Sequence, residues 1–311
     1  MKSKGLTITV VFEAESANYG EGIGNVTSLK KISRGNGESY SYISRQAMRY
    51  NIVNQMVELS DGYHLAPVSH EGTIQFHPDA DIKDNFEIDL FGYMKTKGGA
   101  GANTRSAVAR LSNAVSLETF NGDLDFLTNK GLFDRLSDKD KKKAGTGDSG
   151  EEEGSLKGGN IAQSEIHKSF YTYTLAVDLD KVGVDGEGDK KIEIDNKEKF
   201  KRLNLLLKAL NFLYRDIKGR RENLSPLFII GGVYDMKNPF FMNGIKLNGH
   251  KLAVTRIKNI LDKDPHITEN TFVGYVENTF DNDDEIKELN YLPVTKVFEN
   301  IRQKLNNYYN G

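Results

Sequence analysis

The 311-residue chain has no cysteine. This excludes a disulfide framework, a cysteine nucleophile and a thiolate zinc site, and it fits a reducing interior. Long apolar runs are missing as well: nothing approaches the roughly 18 consecutive apolar residues needed to cross a bilayer. The early run at 6–12 carries two threonines, stops at Glu13 and is followed by no small-residue cleavage site, so no signal peptide is expected. These absences predict a soluble, cytoplasmic protein with no membrane partner. An excess of charge is also lacking, since 42 Lys+Arg against 44 Asp+Glu leave a formal net charge of −2. Taken whole, that balance argues against nucleic acid, because phosphate contacts need clustered cations. What the chain does hold is apolar material, 38% of its residues, enough at this length to bury a core and exclude wholesale disorder.

LTITVVFEA at 6–14 is rich in β-branched residues and reads as a buried strand. A glycine-bearing loop at 15–25 and a basic polar segment lead to a helix expected from about residue 41. Its stripe is Ile43, Ala47, Met48, Ile52, Met56 and Leu59, and Asp61-Gly62 ends it. Residues 61–165 change character, with short pieces separated by Gly, Asp and Asn. Strands are expected there at 86–94 and 106–117, and lysine and glutamate runs make 137–159 a low-complexity stretch. A strand at 169–179 follows. Asp195 with Glu198 reads as a capping box opening a helix striped by Phe200, Leu203, Leu206, Leu210, Leu213 and Ile217. A strand at 227–234, a hairpin-like segment at 235–250, a strand at 271–276 and a helix at 294–309 complete the order. Without insertions this is strand, helix, two strands, strand, helix, strand, an α+β plan of the RRM-like (ferredoxin-like) kind.

Chemistry finds little support. Gly20, Gly22 and Gly24 stand in G-x-G-x-G spacing after the first strand, but no helical period follows directly, as a dinucleotide site requires. The glycines at 98–101 lack the Gly-Lys-Ser/Thr ending of a phosphate-binding loop. His64, His70 and His77 near Glu71, Asp79 and Asp81 match no metal-ligand spacing. Asp178 and Asp180 read as a solvated strand end with no base beside them. No catalytic residue, metal or cofactor is assigned.

Charge is the stronger signal once it is read locally. Residues 25–50 hold Lys30, Lys31, Arg34, Arg45 and Arg49 against Glu38 alone, a local +4. Ser44, Arg45 and Gln46 fall at the start of the expected helix, where free N–H groups and the helix dipole attract an anion, although cations are normally disfavoured there. Residues 92–117 carry Lys95, Lys97, Arg105 and Arg110 and no acid, again +4, on glycine-rich loops suited to a polyanion. The remainder must then sum to −10, so a neutral total conceals segregated charge. The 235–250 segment places Met236, Phe240, Phe241 and Met242 outside any periodic element, where apolar side chains can wedge between bases or pack on their own core.

With those residues in view, the opening strand, Glu21-Gly22-Ile23-Gly24-Asn25, Leu29-Lys30-Lys31 and the run from Tyr42 to Tyr50 (YISRQAMRY) resemble the DevR branch of the CRISPR-associated Cascade backbone proteins, family seven of the Cas proteins. Phe91-Gly92-Tyr93-Met94, the stretch 105–117 and the run 231–243 add to the likeness. The resemblance implies a non-enzymatic, type I-B subunit that binds CRISPR RNA (crRNA) and stacks with further copies of itself along that guide. It implies a palm from 1–60 and 166–234, an inserted finger or web region at 61–165, a thumb hairpin at 235–251 and a C-terminal palm part at 252–311. Carried over, Asn25, Ser28, Lys30, Lys31, Ser44, Arg45, Gln46 and Arg49 would hold guide phosphates, with Lys95 and Arg105 as further RNA contacts. Met236, Lys237, Phe240, Phe241 and Met242 would form the thumb that kinks the guide. Implied partners are family-five and large family-eight subunits, a family-six processing nuclease, and target DNA through the guide. Two alternatives stand beside this: a type III-like, metal-dependent target-RNA-cutting subunit using Asp61 or Asp81, and a stand-alone RNA-binding regulator.

Overall fold

GLTITVVFEA forms β1 (Gly5–Ala14), buried at all but one position. A strand with both faces buried belongs in the middle of a sheet, and β1 lies there. The computed structural model describes residues 4–15, 18–23, 26–35, 37–69, 73–97, 100–128, 130–135 and 161–311; the low-complexity stretch, Asn25, His70 and Glu71 lie outside them. Around β1 runs an eight-stranded antiparallel sheet. Its strands are β2 (Lys31–Ser33), β3 (Ser39–Ile43), β4 (Ala109–Leu111), β5 (Ala114–Ser116), β6 (Ser169–Asp178), β7 (Phe228–Tyr234) and β8 (Thr271–Tyr275). The order is β8-β7-β1-β6-β5-β3-β2, with β4 also on β6. With the helices α1 (Arg45–Glu58), α2 (Asn196–Asn211) and α3 (Val294–Asn310), the chain runs β1, α1, β4–β5, β6, α2, β7 before β8. In the sheet those strands stand last, first, third, second.

The alternation in β1 divides the core. Leu6, Ile8, Val10 and Phe12 meet α1 (Met48, Ile52, Met56), α2 (Leu203, Leu206, Leu210) and α3 (Val297, Ile301, Leu305) in one apolar cluster. Val11 turns to the other face and joins Phe228, Ile230, Phe241, Ile245, Leu252 and Ile257 in a second. That second cluster covers one end of the face. The rest of it is floored by Thr7, Thr9, Thr172, Thr174 and Ala176, which the pairing of β1 with β6 sets side by side.

Several expectations are corrected. The helix begins at Arg45 and not near residue 41, because Ser39–Ile43 alternates with period two and pairs with β2 and β5. Of residues 86–94 only Tyr93 and Met94 are strand, opening Tyr93–Lys97. Phe86–Phe91 is a helix that buries Phe86, Ile88, Leu90 and Phe91. It stops at Gly92, whose φ of 73° and closeness to the Arg105 carbonyl exclude a side chain. The expected strand at 106–117 is split into β4 and β5. The loop at 15–25 contains a strand, Tyr19–Ile23, paired with Val26–Leu29. Asp195 caps α2 by accepting the Glu198 N–H at 2.9 Å, yet Glu198 turns its carboxylate to Arg202 and Tyr63, so the box is half closed. In the 235–250 segment only Leu247–Asn248 pairs, with Lys251–Leu252; the residues before it are turns.

A buried polar cluster joins β3 to β6. Ser41 Oγ lies 2.7 Å from His167 Nδ1 and 2.7 Å from Tyr171 Oη, and Tyr171 donates to the His167 carbonyl at 3.0 Å. Burial lowers the His167 pKa below its ordinary 6.5. The unfolded chain therefore takes up a proton at a higher pH than the folded one. The stabilisation is complete above about pH 6.5 and is lost as the pH falls below it, at up to about 1.4 kcal/mol per pH unit. Urea titrations from pH 8 to pH 5 are expected to show this slope in the wild type and a shallower one in His167→Gln; parallel slopes would disprove the assignment.

Candidate nucleic-acid interface

The site is built at the N-terminus of α1. Ser44 is the cap: its hydroxyl accepts the Ala47 N–H at 3.3 Å and donates to Asn18 Oδ1 at 2.6 Å. Asn113 Oδ1 accepts the Arg45 N–H at 2.9 Å. The helix start is thus partly satisfied from within, and the attraction for an anion rests on side chains more than on free N–H groups. Arg45 and Gln46 are exposed. They line a hollow of about 370 Å³ together with Arg49, Phe91, Arg110 and Leu111.

From there the hollow continues along the floor of the sheet. A second one, of about 280 Å³, shares Arg110 and Leu111 with the first and adds Thr7, Thr174, Asp178, Lys237 and Met242. A third, of about 670 Å³, shares Ser112, Thr174 and Met242 with the second and reaches Arg34, Tyr40, Lys246 and Arg256. The three make one groove with β1, β4, β5 and β6 beneath it and the turns at 236–248 as a wall. Seven cations line it against one acid, Asp178. Arg110 is paired with Asp178 at 3.0 Å, Lys237 with Asp180, and Arg49 with Glu87 at 3.0 Å. Arg256 donates to the Asn243 carbonyl at 2.8 and 3.1 Å and braces the wall. Arg34 stacks over Tyr40 at 4.2 Å. Arg34, Arg45 and Lys246 have no acidic partner among the described residues.

The sequence expectations divide accordingly. Ser44, Arg45, Gln46, Arg49, Lys237 and Met242 come together on this groove. Lys30 and Ser28 are half-buried beside it in sequence, on the strand that precedes β2 and just after it. Lys31 is engaged by Glu165 at 2.9 Å and sits over the Phe120 ring at 4.3 Å. Lys95 and Arg105 are corrected. Lys95 is buried, with its ammonium on the Ala80 and Pro78 carbonyls, and burial lowers its pKa. Arg105 binds Asp89 at 2.8 Å, Asp185 at 3.3 Å and the Val184 carbonyl, with only 6% of its side chain exposed. Both cations lie on the paired strands Tyr93–Lys97 and Ala100–Arg105, and their side chains pack inward, which composition does not reveal. Phe241 is likewise no surface residue: it is 1% exposed, inside the second cluster, while Phe240 rests edge-on against Tyr234 at 5.0 Å. Only Met236 and Met242 of the apolar run stand out, at 45% and 44% exposure.

Lys246 and Arg256 were not foreseen. Lys246 lies between Ile245 and Leu247, so a two-residue alternation was its signal; Arg256 is visible only once its helix is docked on the wall. Of the acids singled out, Asp61 is exposed past the end of α1, and Asp81 Oδ1 accepts the Lys83 N–H at 2.8 Å. Among the described residues, no helix is long and apolar enough to cross a membrane.

Two solved structures share this architecture. A chain of a "CRISPR RNA-guided surveillance complex" superposes with a TM-score of 0.57 at 12% identity, over 96% of this chain and 99% of that one. A chain of a "CRISPR RNA-guided surveillance complex, pre-nicking" does so with a TM-score of 0.54 at 12% identity, over 89% and 94%. At that identity the likeness is one of fold, and it defines the class: a mixed α and β chain, with antiparallel sheets, shaped like a subunit of such complexes. Over residues 6–251 the sequence matches the family described as CRISPR-associated negative auto-regulator DevR/Csa2, and the chain belongs to that family. No curated protein matches it.

Proposed function

We propose that the chain is a non-catalytic backbone subunit of a type I-B CRISPR surveillance complex, one of several copies laid along a crRNA that presents the guide to target DNA. The observation that carries this reading is the groove, continuous over three hollows, with seven cations and one acid. In this reading the eight-stranded sheet with its three helices is an RRM-like palm, and the turns at 236–248 are the thumb, touching RNA or the next copy through Met236 and Met242 and not through Phe241. Residues 61–165 are the finger insertion. Cations spread along a groove hold phosphates wherever they fall, so one subunit accepts any guide sequence, and pairing by the guide supplies specificity. Repeated copies add their electrostatic terms along one strand, which makes assembly salt-sensitive. Further partners are the family-five, family-six and family-eight subunits, in the cytoplasm.

Co-expression with a CRISPR array tests the reading. RNA of one defined length is expected to co-purify with the protein, and target RNA incubated with that particle and a divalent metal is expected to stay intact. Heterogeneous RNA would favour a stand-alone regulator, and cuts at a regular interval would favour a nuclease.

A further inference from the structure

The middle of the groove differs from its ends. Leu6 and Ile8 enter the helix-covered core, so Thr7 between them faces the groove, opposite Ala176 of β6, which in turn pairs with Arg110 of β4. Thr7 is 3% exposed, and its hydroxyl has no hydrogen-bond partner. Its neighbours are satisfied: Thr9 Oγ1 and Thr174 Oγ1 lie 2.8 Å apart, and Ser112 Oγ accepts the Thr174 N–H at 2.9 Å. Thr172 Oγ1, farther along the floor in the 670 Å³ hollow, is unpartnered as well, and buried hydroxyls of this kind call for partners from outside the chain. Thr7 lines the 280 Å³ hollow beside Asp178, the only acid among the described residues that line the groove.

That composition selects among the parts of a nucleotide. Both cations of this hollow are already engaged, Arg110 by Asp178 and Lys237 by Asp180, so it holds less free positive charge for a phosphate than the ends of the groove, and its small floor offers no aromatic ring for a base. A hydroxyl suits both neighbours, since it donates to a carboxylate and exchanges a hydrogen bond with threonine. We propose that this hollow receives a ribose 2′-hydroxyl and that Thr7 sets the preference for RNA over DNA. The 2′-hydroxyl is what separates the two strands chemically. Arg45 and Arg110 on one side and Lys246 and Arg256 on the other hold the flanking phosphates of either strand alike. The inference rests on the proposed RNA-binding groove.

Anisotropy titrations with single-stranded RNA and its deoxy counterpart of the same sequence test it, using the full-length protein. Thr7→Val keeps the shape and removes the hydroxyl. It is expected to reduce the RNA-to-DNA affinity ratio roughly five- to tenfold, the size of one hydrogen bond, through weaker RNA binding alone. Thr7→Ser is expected to restore the ratio. A wild-type ratio in Thr7→Val, when Arg45→Ala still weakens both strands, would overturn the 2′-hydroxyl assignment and leave the groove standing. If Arg45→Ala and Thr7→Val both leave both affinities unchanged, the groove reading falls, and this inference falls with it.

Discussion

Replacing Arg34, Arg45 and Lys246 together with alanine is expected to weaken single-stranded RNA binding roughly 10²-fold near physiological salt, at about 1 kcal/mol per phosphate contact. All three side chains line the groove, and none has an acidic partner among the described residues. Removing them should leave folding almost untouched, since Arg34 loses only a stacking contact with Tyr40. The slope of log affinity against log salt should also become shallower by about 2, at about 0.7 per phosphate of a single strand. That second readout separates lost phosphate contacts from general damage. Arg49→Ala is expected to do less for RNA, because its guanidinium already spends one face on Glu87 and lies 5.3 Å from the Phe91 ring. Unchanged affinity and slope in the triple variant would place the RNA elsewhere.

The second large effect concerns folding. Asp89 and Arg202 are both fully buried and 2.9 Å apart. Asp89 also accepts from Arg105 at 2.8 Å and from the Gly183 N–H at 2.8 Å, while Arg202 donates to the Ile82 and Lys83 carbonyls at 2.7 Å each and to Glu198 at 2.8 Å. Four segments meet there: the helix Phe86–Phe91, the Tyr93–Arg105 hairpin, the loop around residue 183, and α2. Arg202→Met takes one of two cations from the buried Asp89 carboxylate and leaves two carbonyls unpaired in the core, and a loss of about 3–5 kcal/mol is expected. Asp89→Leu combined with Arg202→Met should recover part of it, because no lone charge is then buried at that contact. Urea unfolding measures both. A loss below about 1 kcal/mol in the single variant would mean that water reaches the pair.

These two sites differ in how readable they were. The main strands and α3 follow from runs of β-branched residues and from stripes at helical spacing, each within a few residues of its expected place; α2 starts as expected but ends at Asn211, so Leu213 and Ile217 of its expected stripe lie beyond it, Ile217 in the strand Tyr214–Ile217. The helix Phe86–Phe91 was misread because six residues are too few to tell a period of 3.6 from one of 2. For the groove, net local charge found the right segment in 25–50 but erred within 92–117. Lys95, Arg105 and Arg110 look alike as letters, and only the packing of the hairpin sends two of them inward and leaves the third at the groove. Phe241 was misjudged for the same reason: it and Phe240 are neighbours in one turn, and only packing decides which ring is fully buried. Asp89 gave no sign at all, as its partners lie 16 and 113 residues away.

The middle of the floor, Thr7, Thr9, Thr172, Thr174 and Ala176, carries no aromatic ring. Many sheet surfaces that bind single-stranded RNA grip the bases by stacking them on such rings. If a strand lies in this groove by its sugars and phosphates, as proposed, its bases meet no ring on this middle part of the floor. In that arrangement the Watson–Crick edges would point away from the protein, and a complementary strand would approach them without first being peeled off a platform.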